Sequence, residues 1–189
     1  MSIHISNFKT AFSGGSRQNR FVVTGSFPYE TSSAVSPFHI RATQIPALST
    51  LAIEYNYFGR KAYYPGEKQY SAWSIAVIDD TPELYNTWKK FNKWQNSINN
   101  HANNQSDSFV NYKANGWTVS HLNLNGEATS PLKSFTMYGV WPRTVMDMPL
   151  NMANPNSLNQ FTVVLLYDYI ELKSEGTLIT EPGISIPGT

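Results

Sequence analysis

Cysteine is absent from the 189 residues, which excludes a disulfide framework, cysteine-ligated zinc and thiol chemistry. Charge is scarce as well. Asp, Glu, Lys and Arg make up 14% of the chain, against about 25% in an ordinary soluble domain. The net charge of +1 excludes both the global basic field of a typical DNA-binding domain and an acidic solvating tail. No apolar run approaches the roughly 20 residues of a membrane helix; the longest, Phe161 to Tyr169, is interrupted by Thr162 and Asp168. Residues Met1 to Ser6 lack the basic region and apolar core of a signal peptide, so the chain is expected to be soluble and unexported.

Catalytic patterns are missing too. His4, His39, His101 and His121 are scattered without metal-ligand spacing. Ser13-Gly14-Gly15-Ser16 lacks the lysine and following helix of a phosphate loop, and no GxSxG nucleophile turn occurs. Asp79-Asp80 stands just before an expected helix, where capping and solubility explain it. Neither an enzyme nor a cofactor or metal site is expected. What the chain does have is aromatic side chains, also 14%. Many aromatics with few charges must be buried, in a core or against neighbours.

Periodicity predicts a mainly β (α+β) fold, with two packed antiparallel sheets forming a sandwich or barrel and one flanking helix. Strands are expected at Phe21–Thr24, Phe38–Thr43, Leu51–Tyr57, Trp73–Val77, Trp117–Leu124 and Ser134–Trp141, with a long one from Leu158 to Leu172. Pro65-Gly66 and Gly126 read as turns, and 26–37 as a loop. The helix is expected over about 82–100, capped by Thr81 with Pro82 at its first position and Glu83 on the dipole. Leu84, Trp88, Phe91, Trp94 and Ile98 share its apolar face, and Lys89, Lys90 and Lys93 the other. Trp88, Phe91 and Trp94 are expected in the core with Trp141, Pro142 and Phe161; Pro142, lacking an N–H, belongs at a strand end or bulge. Residues 1–172 make one domain, and 173–189 an extension that is flexible unless a neighbour pins it.

Three segments together resemble the tail tube proteins of contractile-tailed bacteriophages. The first is Phe38-His39-Ile40-Arg41-Ala42-Thr43-Gln44-Ile45-Pro46, followed by Phe58-Gly59-Arg60-Lys61, Pro65-Gly66 and Trp73 to Asp80. The second is Trp88-Lys89-Lys90-Phe91-Asn92-Lys93-Trp94-Gln95. The third is Tyr138-Gly139-Val140-Trp141-Pro142, then Asn159 to Val163 running into Tyr167-Asp168-Tyr169. The resemblance covers roughly residues 5–172. It implies a virion protein, assembled in the host bacterial cytoplasm, whose six-membered rings share an inner β-barrel and stack into the tube of a contractile tail. Its implied partners are other copies of itself, the sheath, baseplate, terminator and tape-measure proteins, and DNA passing through the lumen without sequence-specific binding. No cofactor is implied.

In that light Phe58, Arg60, Lys61, Tyr63 and Tyr64 are expected at contacts between subunits or rings, since tyrosines beside an arginine make good interface anchors; a solvent-facing hairpin is the alternative. A basic lumen would hold phosphates, so neutral and acidic groups are expected there. Glu54, Asn56, Thr118 and Ser120 are the candidates. The loop 26–37 is read as an addition facing the sheath. Two other functions stay open: the same resemblance also implies a tube or tube initiator of a non-phage injection particle, and many aromatics with few charges would also suit a carbohydrate-binding β-sandwich.

Overall fold

Alternation of apolar and polar side chains sends most of the chain into antiparallel strands. The computed structural model describes residues 4–12, 15–29, 34–82, 86–126, 128, 131–153, 156–174 and 177–178. In chain order they form α1 (Ile5–Ala11), β1 (Phe21–Thr24), a 3-10 turn (Pro37–His39), β2 (Ile40–Thr43), β3 (Leu48–Tyr57), β4 (Arg60–Tyr70), β5 (Trp73–Ile78), α2 (Thr87–Ile98), α3 (Phe109–Tyr112), β6 (Trp117–His121), β7 (Lys133–Tyr138), β8 (Trp141–Val145), β9 (Gln160–Leu166), β10 (Tyr169–Ser174) and β11 (Thr177–Leu178). One sheet has the order β1-β6-β7-β10-β11, a second β2-β5-β9-β8, and β3 with β4 make a separate two-stranded ribbon. The expected architecture of two antiparallel sheets with one main helix is what the chain adopts.

The core lies between the two larger sheets. Trp73, Ile75 and Val77 of β5 and Phe161, Val163 and Leu165 of β9 meet Val23, Trp117, Val119 and Met137 from the opposite sheet. Trp73 and Trp117 touch edge to face, 5.9 Å between centroids. Helix α2 packs along β8 and pushes Phe91 and Trp94 into this aromatic cluster. Phe27 joins them, 5.0 Å from Phe91 and 5.8 Å from Trp94, so the stretch read as a loop supplies core through Phe27 and Val35. Each buried indole keeps its hydrogen bond: Trp73 Nε1 donates to Thr43 Oγ1 (2.9 Å), Trp94 to the Tyr112 carbonyl (2.6 Å), and Trp117 to the Ser26 carbonyl (3.1 Å).

Several expectations need correction. Helix α2 begins at Thr87, and its cap is Asn86, whose side chain accepts from the Lys89 N–H at 2.8 Å; Glu83 and Leu84 lie outside the described residues. Trp88 is not core but 39% exposed. The buried face centres on Thr87, Phe91 and Trp94, and Trp88 stands about 100° around the helix from Thr87. Pro65-Gly66 is no turn. It lies within β4, at a bulge where Gly66 and Glu67 face the single residue Leu51, and the chain reverses instead at Phe58-Gly59, where both residues have positive φ (46° and 74°). The strand expected over Ser134–Trp141 breaks at Gly139, and that over Leu158–Leu172 breaks after Leu166, each half joining a different sheet. Most of the 173–189 extension lies outside the described residues, beyond β11.

Candidate assembly surfaces

The ribbon β3–β4 stands apart from both sheets, and nearly all its residues are exposed. Its register gives it two unlike faces. Ile53 opposes Tyr64, Tyr55 opposes Ala62 and Tyr57 opposes Arg60, so Leu51, Ile53, Tyr55, Tyr57 and Tyr64 form an apolar stripe. On the reverse face Glu54 opposes Tyr63 and Asn56 opposes Lys61, with a Lys61–Glu54 ion pair at 2.6 Å. Phe58 is 86% exposed at the tip, its ring edge-on to Tyr57 at 4.5 Å. Only glycine fits at 66, since a Cβ there would stand 2.9 Å from the Leu51 carbonyl oxygen. The five residues expected at contacts therefore share one element but not one face. Tyr64 and Arg60 lie with the apolar stripe, Lys61 and Tyr63 with the polar face, and Phe58 at the turn.

The second surface is the outer face of the five-stranded sheet. Val23, Trp117, Val119 and Met137 point inward, so their neighbours Val22, Thr24, Thr118, Ser120, Ser134, Thr136 and Glu171 share the other side. It is a face of hydroxyls bonded across strands: Thr118 Oγ1 lies 3.1 Å from Thr136 Oγ1, and Ser120 Oγ 3.1 Å from Ser134 Oγ. Tyr138 stacks on Tyr169 (4.7 Å) and donates to Glu171 Oε2 at 2.9 Å; accepting that proton, the carboxylate raises the Tyr138 hydroxyl above its ordinary value. The candidates Thr118 and Ser120 are thus side by side on the sheet, whereas Glu54 and Asn56 are on the ribbon. Among the described residues the outer edge of β1 has no strand partner, and β10 is covered beyond β7 only by the two residues of β11.

Where the sheets meet, a cluster missed from sequence joins the two halves of the third motif. Asp168, just after β9, donates its N–H to the Tyr138 carbonyl (2.9 Å), while Lys113 Nζ grips both its carboxylate oxygens at 2.7 and 2.8 Å. Gly139 has φ +66°, and a Cβ on it would collide with Asp168 Oδ2. The spacing Tyr-Gly…Tyr-Asp-Tyr is therefore a corner lock between sheets. Its lysine, 55 residues away in sequence, left no local signal. The aspartates before α2 act as helix-entry groups: Asp79 Oδ1 accepts from the Trp88 N–H (3.3 Å) and Asp80 Oδ1 from the Thr81 N–H (2.8 Å). Asp80 also meets His39 Nε2 at 3.2 Å, and these hydrogen bonds, the histidine's first, hold its carboxyl below the usual range. Among the described residues no group of three His, Asp or Glu could hold a metal ion.

Comparison with known proteins agrees with this geometry. The family described as phage tail tube protein matches residues 16–172. The tail tube protein of Serratia phage KSP90 is 28% identical over 173 residues, covering 86% of this chain and 93% of that protein. Tail tube protein gp19 of Enterobacteria phage T4 is 25% identical over 135 residues, covering 71% of this chain and 80% of the phage protein. In structure the chain is similar to a chain of the sheath–tube complex of the extracellular contractile injection system PVC, in its extended state (TM-score 0.60, 19% identity, 92% and 99% covered). It is also similar to one from the six-fold symmetrised anti-feeding prophage baseplate (TM-score 0.63, 13% identity, 88% and 100% covered).

Proposed function

Because the chain belongs to the phage tail tube protein family, and so is a structural component of a contractile tail in the virion rather than an enzyme, we propose that six copies close into a ring and that rings stack into the tube through which DNA leaves. The ribbon carries this reading. A two-stranded ribbon is marginal alone in water, and this one holds an apolar stripe and an exposed Phe58 that no other described element covers. Such a stripe needs a protein neighbour, and in a self-assembling family the neighbour is another copy. Phe58, Arg60, Lys61, Tyr63 and Tyr64 then make the contacts between rings.

The ring itself closes through the five-stranded sheet. Its unpaired β1 edge of one subunit meets the β10 edge of the next, a head-to-tail contact that removes every open edge when the circle closes. The hydroxyl face with Thr118 and Ser120 then lines the lumen, and Glu54 and Asn56 continue the polar wall along the ribbon across the joint between rings. Hydroxyls bonded to one another, with few cations, give phosphates little to hold. The six-fold symmetry of the related baseplate supports a ring of six. Sheath, baseplate, terminator and tape-measure proteins are the further partners of this reading.

Negative-stain microscopy of the purified chain, alone and with baseplates as nuclei, tests it. Hollow six-fold rings or tubes are expected, and Tyr64→Ser with Phe58→Ser should leave a folded protein that no longer forms stacks. Particles that remain monomers in both conditions would sink the proposal.

A further inference from the structure

The ribbon leaves the four-stranded sheet at one end, between Thr43 of β2 and Trp73 of β5. The antiparallel register places the start of β2, the end of β5, the start of β9 and the end of β8 at the other. Phe38 stands at that far end, 90% exposed, beside His39 and through it Asp80. The Asp79 N–H donates to the Asn159 carbonyl at 3.0 Å, which brings the adjoining Leu158, 76% exposed, to the same end. Met146 is exposed there too, with its N–H on the Thr162 carbonyl (2.8 Å), and Asp147 follows it. This end is apolar and ringed by three carboxylates, with a cation, Arg41, held on the Gln160 side chain.

The ribbon tip is its complement, aromatic at Tyr57 and Phe58 and cationic at Arg60, while Lys61 is paired with Glu54. Two unlike surfaces at opposite ends of one sheet make a heterologous contact, which repeats along an axis when the rotation between copies does not close a circle. We propose that Phe38 and Leu158, flanked by Asp79, Asp80 and Asp147, form the docking surface for the ribbon tip of a second copy of this chain in the next ring. Phe58 is the apolar anchor, and Arg60 facing the carboxylates fixes the orientation. The inference rests on the stacked-ring reading and adds to it the residues that receive the ribbon.

With no native cysteine, Asn56→Cys and Asn159→Cys, exposed positions beside the two anchors, can be introduced together and treated with a short bismaleimide in tubes assembled from the full chain. A ladder of covalently joined subunits is expected on a denaturing gel, and none from either single variant or from Asn56→Cys with Asp107→Cys. Intact tubes without the 56–159 ladder would overturn this docking surface and leave ring stacking standing. Failure of the unsubstituted chain to form rings or tubes would overturn both. Independently of the cross-link, Phe38→Ser with Leu158→Ser, both on exposed positions, should lower tube yield at least tenfold while rings persist and circular dichroism is unchanged. An unaltered tube yield counts against the proposal.

Discussion

Gly139 is the residue on which the two sheets turn together, and the consequences are steep. Alanine there must adopt a left-handed conformation, which costs about 1–3 kcal/mol, and must also displace the Asp168 carboxylate from Lys113. Gly139→Ala is expected to lower the free energy of unfolding read from urea denaturation by at least that amount. Tyr167 behaves oppositely. Its hydroxyl is buried with no hydrogen-bond partner among the described residues, and burial, with the charge of Tyr70 second, pushes it up to about 12. An unsatisfied buried hydroxyl contributes nothing to stability, so Tyr167→Phe should leave the melting temperature unchanged or raise it.

Asp80 sets an acid limit. A carboxyl whose folded pKa is depressed contributes stability above its unfolded value, 3.8, and loses it as the pH falls through the lower folded one. Asp107 adds to the effect in the same direction, through hydrogen bonds from Asn111 and Tyr29. Denaturant midpoints should therefore hold near neutrality and fall below about pH 4. Asp80→Asn should flatten part of that fall; an unchanged acid limb would exclude the His39–Asp80 contact as its source.

At the scale of elements, helix α2 separates side chains that the pattern grouped together. Phe91 is fully buried between Phe27 and Phe161, so Phe91→Ala should cost about 3–5 kcal/mol. Trp88→Ala, on the margin of the buried face, should cost about 1 kcal/mol or less. Equal losses in chemical denaturation would show that the two share one environment. Strand alternation at 21–24, 51–57 and 73–77 was legible because each has one buried face or a regular pleat. The breaks at Gly139 and after Leu166 were not, because apolar residues continue through them and only the pairing with distant strands stops. Pro65-Gly66 misled for a related reason: the glycine serves a close approach to Leu51 within the ribbon, not a reversal of chain direction. For the surfaces, sequence marked Phe58 to Tyr64 through its aromatics, while the faces they occupy depended on register, which a one-residue slip inverts.

For the whole molecule, low charge now has a location. The face with Thr24, Thr118, Ser120, Ser134 and Thr136 is neutral but for Glu171 and Lys173. Placing a cation on that wall should make it adhesive. Tubes of Thr24→Lys are expected to form normally, yet to retain short duplex DNA at low ionic strength and release it as salt rises. Unsubstituted tubes should retain none, and equal retention by both would remove that face from the lumen.

The polarity of the four-stranded sheet carries a consequence for growth. A filament stacked in the proposed way would show ribbons at one extremity and receiving surfaces at the other. Subunits would then add at two chemically different sites with two different rates. A nucleus need imitate only one of those sites, a cap only the other, and neither can substitute for its counterpart. Start and finish are thereby told apart by chemistry alone, without any clock or external mark.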